Sequence, residues 1–322
     1  GLSGRGGAAT LAVLPLTDPD AHMHRRHFLG SAALAATALM LPMGEGGQAL
    51  AAPSRRLSRV LPRPLNPGDT VALVSPSKAT DDPFDLQLVS EAMQALGLKV
   101  KLAPHVDARR GHLAGTDAQR AGDINAMFAD PQVKGIICVR GGSGAARVLP
   151  LLDYGLIRRN PKVLLGYSDI TALLNAVLAQ SGLVGFHGPI GAGSWNSFNA
   201  DQFRRMFFQR ELMEYRNLAE TGDELVQRRN RTVTISGGRA QGELVGGNLT
   251  VLTALAGTPY LPDFKDRILF LEDVSEAPYR IDRMFSTLKL SGVLDQIAGL
   301  IFGECTDCNP GEGYGWLTLP QI

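Results

Sequence analysis

From residue 70 onward, short continuous apolar runs alternate with stretches of helical periodicity. The run Thr70-Val-Ala-Leu-Val-Ser-Pro-Ser77 predicts a buried strand that ends in small polar residues. Residues 84–96 have helical spacing, and Gly97 supplies the stop. Residues 99–102 predict a second strand, 118–128 a second helix, 133–139 a third strand, 162–166 a fourth and 183–187 a fifth. Strands that alternate with helices at this spacing predict an α/β fold whose N-terminal part is a doubly wound parallel sheet, with sites at the carboxyl ends of its strands.

A second unit begins near residue 232, after a more charged stretch, 191–231, that reads as a bridge with one helix over 201–208. Gly242-Glu-Leu-Val-Gly-Gly-Asn248 predicts a strand and tight turn, with Asn248 capping a helix that runs to Leu255. Residues 267–271 predict a buried strand that delivers Glu272 and Asp273 at its end. Residues 278–290 predict a helix with Ile281, Met284, Phe285 and Leu288 inward and Gly292 ending it. The expected organisation is therefore an N-terminal domain over 70–190 and a second, smaller α/β domain over 232–322.

The stretch with most chemical promise is Pro161-Lys-Val-Leu-Leu-Gly-Tyr-Ser-Asp-Ile-Thr171. A fully apolar strand stops at Gly166 and a helical pattern starts at once, with Asp169 as its cap and Leu173, Leu174, Val177 and Leu178 as its core stripe. Ser168 therefore stands on a sharp strand-to-helix bend. Such a bend presents a hydroxyl above the sheet, over the first free N–H groups of the helix, as acyl-transfer nucleophiles require. Taken alone, the segment fits a plain helix cap better than a nucleophile, because Ile170 stands where the hydrolase bend has glycine.

Composition narrows the class. The chain has 322 residues, 44% hydrophobic and 20% charged, with a formal net charge of +1. That balance describes a globular protein of one or two domains and argues against a nucleic-acid binder, which needs a concentrated basic face. Arg228-Arg-Asn-Arg231 reads as a solvated patch.

The N-terminus reads differently from the rest. His24-Arg-Arg-His-Phe-Leu-Gly30, the apolar segment 31–43 and Ala49-Leu-Ala51 form a signal-peptide pattern over 23–51, and 52–69 reads as a linker. The paired arginines before Phe-Leu resemble a twin-arginine export signal, which places the mature chain in the periplasm or otherwise outside the cytoplasm. Its apolar part is too short to span about 30 Å of hydrocarbon, so no stable membrane anchor is expected. Met23 is the expected start, with 1–22 an upstream extension.

Cys305-Thr-Asp-Cys308 lacks a second ligand pair for zinc, so a disulfide or two partly buried thiols is expected and no metal. Arg140-Gly-Gly-Ser-Gly-Ala-Ala-Arg147, after the third strand, has no Lys-Ser/Thr pair and the wrong glycine spacing for a dinucleotide. Its glycines instead offer backbone N–H groups that suit an oxyanion as well as a phosphate. Glu272, taken alone, reads more simply as a cap for the next element than as a catalytic acid.

Together, Val74-Ser-Pro-Ser77, Val139-Arg-Gly-Gly-Ser-Gly-Ala-Ala-Arg147, Leu152-Asp-Tyr154, Gly166-Tyr-Ser-Asp-Ile-Thr171, His187-Gly-Pro189, Gly246-Gly-Asn-Leu249, Gly257-Thr-Pro259, Leu271-Glu-Asp273 and Tyr279-Arg-Ile-Asp-Arg-Met284 resemble the LD-carboxypeptidase family. These are serine peptidases that act on murein tetrapeptide, together with their microcin-immunity relatives. The resemblance implies that Ser168 is the nucleophile, that Glu272 is the acid of a Ser-His-Glu triad, and that the N–H groups of Asp169 and of Gly141 or Gly142 form the oxyanion hole. It implies no cofactor, a murein tetrapeptide or related small peptide as partner, and compatibility with a homodimer. Arg140 reads either as a clamp for the substrate carboxylate or as a buried salt bridge.

Two departures stand out. Ser143 replaces the family's usual aromatic residue, which alters one cleft wall. The family's catalytic histidine lies in a late Gly-His motif that nothing up to Ile322 matches; His187 reads as a structural ring near the cleft, and His105 and His112 as loop residues. The expectation is thus a chain whose second domain is incomplete at the C-terminus, ending in a strand-like Trp316-Leu-Thr-Leu319, poorly soluble and nearly inactive. The rival expectations are cleavage of an aminoacyl-nucleotide antibiotic, distinguished only by the missing C-terminal part and the cleft-wall loop around Trp195, and a non-enzymatic cell-wall binding protein.

Overall fold

The apolar runs over 70–74, 133–138 and 163–166 form the buried strands they predict, because a strand covered on both faces needs an unbroken hydrophobic sequence. The run expected as a strand over 183–187 is strand only at Phe186–His187. The computed structural model describes residues 56–217, 223–227, 231–308 and 317–322. The extension over 1–22, the export pattern over 23–51, residues 228–230 of the basic patch and Trp316 lie outside the described residues.

The first sheet comprises β1 (Thr70–Val74), β2 (Lys99–Leu102), β3 (Val133–Cys138), β4 (Val163–Gly166) and β5 (Phe186–His187), all parallel and in the order β2-β1-β3-β4-β5. This is a doubly wound order with its switch point between β1 and β3. The intervening helices are α1 (Pro83–Ala95), α2 (Asp117–Ala129), α3 (Tyr154–Arg159) and α4 (Ile170–Ser181). Asp82 caps α1, Thr116 and Gln119 form a reciprocal capping box on α2, and Gly97 takes φ 94° where α1 ends. Val71, Leu73, Val74, Ile136, Ile137 and Leu164 are fully buried, each such side chain contributing about 1.5–3 kcal/mol.

After β5 the bridge carries α5 (Ser197–Phe203), which continues as a π-helical turn over Arg204–Phe208. The helix expected over 201–208 thus starts earlier, because Asn196 accepts from Asn199 N–H and caps it. Then follow β6 (Leu244–Asn248), α6 (Leu249–Thr253), β7 (Ile268–Val274), α7 (Pro278–Leu290) and β8 (Gly299–Thr306), with a parallel sheet in the order β6-β7-β8. Strand β7 runs through Glu272 and Asp273 rather than stopping before them. No strand forms at the C-terminal end among the described residues, where Leu319–Gln321 is a 3-10 turn instead of the expected extension of 316–319. Cys305 and Cys308 are joined as a disulfide across a Cα separation of 5.6 Å.

Helix α4 departs from its expected single stripe. Ile170 to Val177 are buried without a break, so the helix has no solvent face over its first two turns. Leu173, Leu174 and Val177 belong to the core of the first sheet, whereas Leu178 packs into the core of the second, with Leu252, Leu269 and Leu271. The helix is buried all round over these turns because a sheet lies on each side of it.

Candidate active site

The bend after β4 is as sharp as its sequence requires. Ser168 has φ 60°, a left-handed backbone that costs a residue with a side chain about 1–2 kcal/mol, and α4 begins two residues later. The turn closes through Ile170 N–H to Tyr167 C=O at 3.2 Å and Thr171 N–H to Ser168 C=O at 2.9 Å. No cap bond comes from Asp169, contrary to the sequence expectation. Its buried carboxylate turns away to accept from the Ser77 hydroxyl and from Ala145 N–H at 2.8 Å. One side chain thereby joins the loops that follow β1, β3 and β4.

The glycine loop lies directly against the serine. A Cβ on Gly141 would stand 3.0 Å from Ser168 Cβ and 3.2 Å from its Oγ, so glycine is what permits the approach. Gly142 has φ 116°, and a Cβ there would stand 2.5 Å from Lys78 Cβ. Among the described residues, the N–H groups of Gly141, Gly142 and Asp169 donate to no protein acceptor. Buried Arg120 fixes the loop from beneath, donating to Pro76 C=O and, at 2.9 Å, to Gly144 C=O.

Arg140 is held by Asp81 at 2.8 Å and Asp85 at 3.4 Å. This is the ion-pair reading of the two given for it, but partly exposed rather than buried.

Ser168 and Glu272 share one cleft of about 430 Å³, lined also by Tyr167, Asn248, Phe270 and Glu304. Glu272 sits where the β7–β8 register shifts between Leu271 and Asp273, with Gly303 and Glu304 opposite it. Such bulges re-aim side chains beside functional sites. Burial raises the Glu272 carboxyl above the usual range, and the neighbouring Asp273 charge adds to this, while the Asn248 amide pulls it the other way. Asp273 is otherwise occupied. Its carboxylate accepts from Asn248 Nδ2 at 3.0 Å, Thr250 N–H at 3.0 Å and Thr250 Oγ1 at 2.8 Å, which holds the start of α6 and leaves Glu272 as the less engaged of these two adjacent carboxylates.

His187 ends β5 with Nε2 3.7 Å from Glu272 Oε1, too long for a hydrogen bond. Burial depresses its pKa to about 4, so the ring is neutral and the contact is not an ion pair. Its Nδ1 is buried without a hydrogen-bond partner and lies on the side of Gly247, where a Cβ would meet it at 3.1 Å. One ring nitrogen faces Glu272 and the other faces protein. His105 is paired with Asp123 at 2.8 Å. Trp195 donates to Gly191 C=O and packs edge-on to Phe203, apart from the residues that line the cleft.

Comparison with known proteins gives a consistent picture. Residues 71–188 match the LD-carboxypeptidase N-terminal domain and residues 241–319 the LD-carboxypeptidase C-terminal domain. The chain is 38% identical over 266 residues to a probable murein peptide carboxypeptidase of Bacillus subtilis, covering 81% of this chain and 80% of the relative. It is 31% identical over 292 residues to the microcin C7 self-immunity protein MccF of Escherichia coli, covering 82% and 84%. Among solved structures, the muramoyltetrapeptide carboxypeptidase from Oxalobacter formigenes superposes with a TM-score of 0.64 at 30% identity, over 74% of this chain and 78% of that one.

Proposed function

The chain belongs to the LD-carboxypeptidase family of peptidases, and from that premise we propose that it releases terminal D-alanine from murein tetrapeptide by serine catalysis. The observation that carries this reading is the shared cleft, in which a serine on a left-handed bend meets a carboxylate from the other sheet.

Ser168 Oγ attacks the carbonyl that joins the L-centre of the diamino acid to D-alanine. The resulting oxyanion rests on the N–H of Asp169 and that of Gly141 or Gly142, each donor worth about 3 kcal/mol of transition-state stabilisation in comparable sites. Moving the hydroxyl proton to the departing D-alanine amine calls for an imidazole between Ser168 and Glu272. No histidine among the described residues lines the cleft, so D-alanine release by this chain is expected to be slow. Water then attacks the acyl-enzyme by the same route in reverse. His187 does not take the part of that imidazole, because its second nitrogen is enclosed by protein. Arg140, held by Asp81 and Asp85, is best read as a brace for the loop above it. The twin-arginine pattern over 24–30 supports action outside the cytoplasm, where murein lies.

The similarity to the immunity protein supports a second reading, hydrolysis of an aminoacyl-nucleotide at the same serine. D-alanine release from murein tetrapeptide, measured on this chain and on one extended beyond Ile322, tests the first. Release that disappears in Ser168→Ala supports it, cleavage of an aminoacyl sulfamoyl adenosine alone transfers the function to the second, and a Ser168 that reacts with no fluorophosphonate in either chain refutes both.

A further inference from the structure

The proposed nucleophile and its acid partner come from different sheets, so something must hold the two sheets in register to within a fraction of an ångström. On α4, Thr171 and Asn175 stand four residues apart and so share one helix face, and Ser168 stands on the bend two residues before the helix starts. The Thr171 hydroxyl accepts from Asn248 N–H at 2.9 Å, and Asn175 Nδ2 donates to Gly246 C=O at 2.9 Å and to Thr171 C=O at 2.8 Å. Thr171 and Asn175 are buried. Residues 246–248 form the carboxyl end of β6, and Asn248 is the register partner of Glu272 on β7. The nucleophile's helix therefore grips the strand beside the one that carries the acid.

The receiving strand is shaped for this grip. Gly246 and Gly247 have φ 134° and 130°, a region that disfavours side chains. A Cβ on Gly247 would stand 2.6 Å from Thr171 Oγ1. A Cβ on Gly246 would stand 1.9 Å from Phe270 C=O, on the neighbouring strand. Neither glycine is needed for a turn in solvent; both permit close packing.

We infer that Thr171 and Asn175 are positioning residues, a side-chain clasp on the nucleophile's own helix that sets where Glu272 stands relative to Ser168. This rests on the serine-peptidase reading above. The clasp supplies no group to the substrate and acts through the distance between two others.

The test compares Thr171→Val, which keeps the shape and loses the acceptor, with Thr171→Ser, which keeps the acceptor. Asn175→Ala probes the second bond independently and serves if Thr171→Val does not fold. For each full chain, kcat and KM for D-alanine release, the rate of fluorophosphonate modification and the unfolding temperature are measured. Small displacements of catalytic groups cost on the order of 10²-fold in rate. Thr171→Val and Asn175→Ala should lower kcat by about 10- to 100-fold at temperatures where they are folded, with KM changed less than about twofold, and Thr171→Ser should recover most of the loss. Folded Thr171→Val and Asn175→Ala with unchanged kcat and labelling rate overturn the clasp alone. An equal loss in Thr171→Val and Thr171→Ser also overturns it, since the hydroxyl is then not what matters. A parent chain inert in both assays, alone and when extended, overturns the underlying peptidase reading and the clasp with it.

Discussion

Replacing Asp169 by alanine isolates the bond set that holds the site's loops together. Asp169 Oδ2 is the shared acceptor for the Ser77 hydroxyl and for Ala145 N–H, and both donors are buried. Removing the carboxylate leaves two buried donors without partners, at about 1–3 kcal/mol each, so the loss is about 2–6 kcal/mol. Against a total stability of about 5–15 kcal/mol this is a large fraction. At about 2–4 °C per kcal/mol for a chain of this size, Asp169→Ala should unfold roughly 5–20 °C below the parent. Asp169→Asn retains an oxygen that accepts from both donors and should lose less than half as much. Thermal unfolding of Asp169→Ala, Ser77→Ala and the double variant forms a cycle whose coupling should reach about 1–2 kcal/mol. A drop of less than about 2 °C in Asp169→Ala, the size of an ordinary surface substitution, or strict additivity in the cycle would refute the bridge.

Other outcomes follow from the same geometry. Ser168→Gly should relieve the left-handed backbone and, after the entropy cost of glycine, raise the unfolding temperature by about 1–4 °C while abolishing fluorophosphonate labelling. Gly141→Ala, where φ is not left-handed, should fold but react with fluorophosphonate at least about tenfold more slowly, because its Cβ crowds the Ser168 hydroxyl. The folded-state pKa of His187 is depressed from 6.5 to about 4, so its contribution is present above pH 6.5 and is lost as the pH falls toward 4. That loss is on the order of 3 kcal/mol, and denaturant unfolding of His187→Gln should show a shallower decline through that window. Glu272, raised by burial, acts in the opposite sense: it favours the folded state below its unfolded pKa and loses that contribution as the pH rises. Replacing both Cys305 and Cys308 by serine opens a very short loop and should cost about 2 kcal/mol, read as an unfolding temperature lower by roughly 4–8 °C.

The sheet and its bend were legible because their signals are local. The bounds of β2 and α7 agree with the apolar periodicity, and the sharp stop at Gly166 followed by helix spacing located Ser168 without any tertiary information. What escaped depends on contacts between elements. Asp169 reads as a cap, yet a buried hydroxyl and a buried N–H from two other loops compete for its carboxylate and win. Strand β8 has a weak local signal because Leu300, Ile301 and Phe302 form a short run, and the first two are exposed at the sheet edge. Helix α3 has only 6 residues, too few for a period to show. Thr171 and Asn175 look like ordinary polar interruptions of an apolar helix until the second sheet is placed against them. Asn248 announces a cap and is one, accepting from Val251 N–H at 3.0 Å, but its Nδ2 on Asp273 belongs to the cleft and has no signature in the sequence.

With protein on every side over its first two turns, α4 has no margin along which either sheet could peel away and leave the other intact. Detaching one half exposes the apolar flank of an element that the other half needs, so the two halves should melt in one transition, and the slowest-exchanging amides should lie in this helix rather than in either sheet. Opening by a hinge between the halves would break this shared helix, so changes in selectivity are to be sought in the loops that line the cleft.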